Sequence, residues 1–88
     1  MGKAVFVTEE AIDLCYDLMV VHDVFCEVAP DDPLCRDYCP LKTLKHCIMT
    51  FSRQSALAEM KSLCRRGRNS KELRELCEGV LKEWGTGS

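Results

Sequence analysis

The sequence predicts an all-α fold: a three-helix antiparallel bundle with helices over about 9–28, 40–66 and 70–84. A short cysteine-containing helical turn is expected at 32–39, disulfides are expected to cross-link the whole, and a homodimer is expected through the first helix. Three observations carry this. Helix-forming residues dominate, with only five glycines and three prolines in 88 residues. Apolar residues recur at i, i+3, i+4 and i+7. Seven cysteines are far more than a reduced protein of this size ordinarily holds. A chain this short forms one domain over residues 1–88, near the lower limit of what a hydrophobic core alone can hold together.

Residues 3–7 are β-prone and read as an extended arm over 1–8 that packs on the bundle. A strand paired with a second copy is the alternative. Thr8 is a suitable N-cap, and Glu9 and Glu10 complement the positive end of the helix dipole. The first helix ends at Ala29-Pro30, because the residue before proline avoids helical geometry. Its apolar stripe, from Ile12 and Leu14 through Leu18, Val24 and Phe25 to Val28, is wider than one facing helix covers. Either a central position or a dimer seam follows.

Asp32 and Pro33 cap and open the short turn, and Pro40 opens the second helix. Leu41, Leu44, Cys47, Ile48, Phe51, Ala58, Met60, Leu63 and Cys64 keep helical spacing to Arg66. Thr50, Ser52 and Ser55 form a weak patch where this helix can bend or re-cap. Gly67 ends it. Asn69 with Glu72 forms a capping box for the third helix, whose Leu73, Leu76, Cys77, Val80, Leu81 and Trp84 share one face. Residues 85–88 read as a frayed end.

The cysteines admit two registers. With one straight helix from 40 to 66, Cys26 and Cys47 both lie roughly 25–28 Å from one end of the bundle, beside Cys35 and Cys39. Cys15 and Cys77 then form a second layer about 9 Å above the opposite end, with Cys64 near it. If the second helix instead starts at Pro33 and kinks at Pro40, Cys26 faces Cys35 and Cys15 faces Cys47. The segments Cys15-x10-Cys26 and Cys35-x11-Cys47 are then loosely similar in geometry to twin Cys-x9-Cys helical hairpins. Disulfide candidates are therefore Cys26, Cys47, Cys15, Cys77, Cys35 and Cys39, each bridge offsetting part of the chain entropy that a small core must overcome.

The alternative is a zinc or iron–sulfur site on Cys26, Cys35, Cys39 and Cys47, flanked by His22 and His46. Four thiolates complete such a shell, although the spacing matches no established ligand pattern. A histidine in such a place is ordinarily a partly exposed surface residue.

The formal charge of −2 conceals an asymmetry. Residues 9–37 hold nine acids and one base, net −8, whereas residues 42–74 hold nine bases and two acids, net +7. These charges either pair across the helices or leave a basic face. Lys61, Arg65, Arg66, Arg68, Lys71 and Arg74 cluster at one corner that can grip a nucleic-acid backbone. The bland explanation is that bases favour a helix C-terminus.

No glycine-rich phosphate loop, His-Glu-x-x-His motif or Cys-x-x-Cys pair is present, so the sequence does not read as an enzyme. The expected function is a non-catalytic interaction or regulatory module for a protein partner, without a cofactor and without a membrane span. The N-terminus does not resemble a secretory signal. With only two side-chain amides, the sequence suggests an intracellular, cytoplasmic protein of a thermophile, where cytosolic disulfides occur. An oxidising compartment reached without a cleaved signal is the other option.

Overall fold

A computed structural model describes residues 7–85, and among them all regular structure is helical. The helices are α1 (Glu9–Val28), α2 (Pro33–Arg36), α3 (Pro40–Met49), α4 (Arg53–Arg66) and α5 (Lys71–Glu83). The arm expected over 1–8 falls almost wholly outside the described residues, as does the end expected to fray over 85–88.

Local chemistry sets most of the boundaries. The Thr8 hydroxyl accepts the Ala11 N–H at 3.1 Å, satisfying one of the free donors of the first turn of α1. Asp32 does the same for Leu34 at 3.0 Å, with Pro33 in the first position of α2. At α5 the cap is Ser70, which accepts from Leu73 at 3.2 Å, and not Asn69 as the capping-box reading had it. The serine sits one residue closer to the helix, so the bonded donor moves from Glu72 to Leu73.

The largest correction concerns the helix expected over 40–66. It is two helices, separated at Thr50-Phe51-Ser52, with Ser52 capping the second through Ser55. The weak patch does more than bend the chain; it turns it over. Tyr38, just before α3, donates to the Met19 carbonyl, whereas Cys47 near the end of α3 meets Cys15, so α3 runs back along α1. Arg53 opens α4 beside Glu10, and Arg66 closes it beside Asp32, so α4 runs in the same direction as α1. The last helix returns: Leu73 lies by Gly67 and Phe25, and Trp84 lies by Asp17.

The central helix is α1, packed on α3, α4 and α5. Its buried positions, Ala11, Leu14, Cys15, Leu18, Val21, His22 and Phe25, repeat at i, i+3 and i+4. The breadth that suggested a dimer seam is taken up inside one chain, although Ile12 and Val28 from the expected stripe stay exposed. Ala56, Leu57, Met60 and Leu63 complete the core from α4, and Leu73, Cys77 and Val80 from α5. Ala58, expected inside, is exposed. No residue of α3 is fully buried, and Leu41 is 77% exposed.

Gly67 ends α4 for a packing reason. Its backbone is not left-handed, but a Cβ there would collide with Leu73 and crowd Phe25 Cδ1 at 3.2 Å. Any larger residue there would have to displace the buried Leu73 side chain from the α4–α5 turn.

Candidate functional site

Three disulfides fix this frame: Cys15–Cys47, Cys26–Cys35 and Cys64–Cys77, with Cα separations of 5.8, 5.4 and 6.0 Å. The first two follow the kinked register. The straight-helix pairings, Cys26 with Cys47 and Cys15 with Cys77, do not occur, because the reversal at Thr50–Ser52 takes Cys64 and Cys77 into a separate α4–α5 hairpin. Cys64, outside the candidate set, is bonded; Cys39, inside it, is exposed and free.

The same pairing answers the metal alternative. Cys26 and Cys35 are spent on each other and Cys47 on Cys15, so the four proposed ligands share no site. Among the described residues no group of three or more His, Cys, Asp or Glu is placed to hold a metal ion. Native thiol titration should find one reactive thiol per chain, lost in Cys39→Ser; two or more would contradict these bridges.

The cytoplasmic reading is overturned by the same bridges. Cytosolic thiols are held reduced, and three disulfides in one small domain point to an oxidising environment, as in extracellular proteins. No helix among the described residues is long and apolar enough to cross a membrane.

A groove of about 860 Å³ opens over the middle of α1. Leu18 and His22, one turn apart on α1, line its floor. One wall is the α3 ridge Lys42, Lys45, His46 and Met49; the other is the α4 ridge Ser52, Ser55, Ala56 and Glu59. Both ridges follow i, i+3, i+4, i+7 spacing, a signal that was present in the sequence. It is obscured there because 40–66 has the spacing of one helix with one apolar face. The groove exists because α3 and α4 both pack chiefly on α1 and diverge from their shared turn.

The floor is braced from below. His22, expected near the surface, is only 8% exposed and stacks on Tyr38 with ring centroids 4.0 Å apart. Its Nε2 lies 3.3 Å from the Leu34 carbonyl, so the proton donated there sits on Nε2, while the buried Nδ1 has no partner among the described residues. The Tyr38 hydroxyl donates to the Met19 carbonyl at 3.1 Å. Burial, reinforced by the nearby Asp23 carboxylate, pushes the Tyr38 phenol well above its ordinary range and keeps it a donor. These contacts and Cys26–Cys35 clamp the α2 segment onto α1. At the other end, Trp84 Nε1 donates to Asp17 at 2.9 Å, and Arg53 bonds both Glu10 and the Trp84 carbonyl.

Lys61, Arg65, Arg66, Arg68, Lys71 and Arg74 are all exposed around the α4–α5 turn. Charge pairing across the helices is limited to Arg53–Glu10 at 3.1 Å and Arg66–Asp32 at 3.6 Å among the described residues. Compared with known protein families, curated proteins and solved structures, the chain matches none.

Proposed function

We propose that this small disulfide-rich helical protein is a non-catalytic interaction module that takes an acidic segment of a protein partner in the α3–α4 groove. The observation that supports this is the groove's chemistry. Lys42, Lys45 and His46 supply cationic and donor groups along one wall, and the hydroxyls of Ser52 and Ser55 line the other. Leu18, Ala56 and Cys47 provide an apolar base. Glu59 is its single acid. An open trough with an apolar floor and a polar rim suits an extended or helical segment that buries alternate apolar residues and leaves carboxylates at the edge. Cys47 belongs both to the groove and to the bridge that pins α3 to α1, so the wall is pre-organised, which lowers the entropic cost of binding.

Fluorescence anisotropy with two labelled leucine-containing octapeptides, one rich in glutamate and one rich in lysine, tests the reading. The acidic peptide should bind the native chain, and Lys42→Glu with Lys45→Glu should weaken it about tenfold, as expected for two rim charges. Equal binding of both peptides, or no effect of the double reversal, would reject it.

A further inference from the structure

We infer that the α4–α5 corner is a second, separate binding site, and that it takes a sulfated polysaccharide. Lys61 and Arg65 stand at i and i+4 on the last turns of α4, Arg68 lies in the turn that follows, and Lys71 opens α5. Lys61 and Arg65, about one turn apart, are spaced roughly 6 Å along the axis of α4, a spacing suited to a linear polyanion. These four side chains are exposed and make no ion pair among the described residues; of the corner bases only Arg66 has a carboxylate partner. With no carboxylate held against them, the arginine guanidiniums can grip sulfate oxygens through two parallel hydrogen bonds.

The corner is rigid. The Cys64–Cys77 bridge ties its two helices, the Ser70 N–H donates to the Gly67 carbonyl at 2.9 Å, and Gly67 seats the turn against Leu73.

Three observations favour a sulfated glycan over other polyanions. The disulfides place the chain in an oxidising environment, away from the reducing compartments where nucleic acids are held. Residues 61–74 contain no aromatic side chain on which a base can stack, and α5 carries Glu72, Glu75 and Glu78, which oppose insertion into a DNA groove. None of the exposed large apolar residues lies in this segment, so nothing beside the cations can enter a bilayer.

The test uses the oxidised full chain and a heparin decasaccharide, with a charge-matched DNA duplex and anionic phosphatidylserine vesicles as competitors. Four contacts on a flexible polyanion predict binding about 50-fold weaker at about 200 mM than at about 50 mM salt. Arg65→Gln with Arg68→Gln should weaken heparin binding about tenfold or more. Gln54→Glu with Lys82→Gln removes the same net charge at the other end of these two helices and should have little effect. Circular dichroism and a count of one free thiol establish that both variants fold. Equal losses in the two variants, tighter binding of duplex or vesicles than of heparin, or no heparin binding at low salt would overturn the proposal. The groove variants play no part in this test, so either site can fail alone.

Discussion

Reducing all three disulfides is expected to unfold the chain at room temperature. The bridges span separations of 32, 9 and 13 residues. Restricting the unfolded chain over such loops contributes about 4, 2.5 and 3 kcal/mol respectively, roughly 9 kcal/mol together. A domain of this length has a total stability of about 4–13 kcal/mol, so the bridges account for most of it. The reason is visible in α3, which has no fully buried side chain and depends on Cys15–Cys47 for its place on α1. Far-ultraviolet circular dichroism before and after reduction measures the effect. Loss of most helical signal is the expected result, and a reduced chain that still melts cooperatively within about 10 °C of the oxidised one would show the core to be self-sufficient. Cys15→Ala with Cys47→Ala should account for the largest single share.

The second large effect is expected from Phe25→Ala. Phe25 is 1% exposed, is among the largest fully buried side chains, and underlies the glycine at the α4–α5 turn. Removing its ring leaves a cavity where α1, the end of α4 and the start of α5 meet. Such truncations cost about 3–5 kcal/mol, a large part of the total. Leu41→Ala is the contrast: that side chain is 77% exposed and its loss should change stability by less than about 0.5 kcal/mol. Urea unfolding of the oxidised variants measures both. A Phe25→Ala cost below about 1 kcal/mol would mean that the core does not converge there.

The extents of α1 and α5 were legible in the sequence because they rest on local chemistry: the Thr8 cap and proline stop of α1, and the unbroken 3.6-residue repeat of α5, whose cap alone is one residue away from the expected Asn69. The reversal at Thr50–Ser52 was only half legible. Low helix propensity marks where a helix can be interrupted, but the direction the chain then takes depends on which face finds apolar surface on α1, a long-range outcome. That one choice decided the cysteine pairing. Cys15–Cys47 and Cys26–Cys35 were visible as one of two registers, whereas Cys64–Cys77 required α4 and α5 to form their own hairpin. The groove was hidden for the same reason, since its walls come from two parts of what reads as one helix. The bases around Gly67 are close in the sequence itself, and their exposure follows from lying at a helix end and a turn.

The bridges also divide the molecule. Two lie wholly before Thr50 and one wholly after Ser52, so no disulfide joins the α1–α2–α3 portion to the α4–α5 portion. Between them run the backbone at the turn, the packing of α1 on α4 and α5, the Arg53–Glu10 and Arg66–Asp32 ion pairs, and the Trp84–Asp17 and Arg53–Trp84 hydrogen bonds. A single proteolytic cut at Phe51 would therefore yield two internally tied fragments with no covalent bond between them. They would separate in denaturant without any reductant and compete to re-associate on its removal.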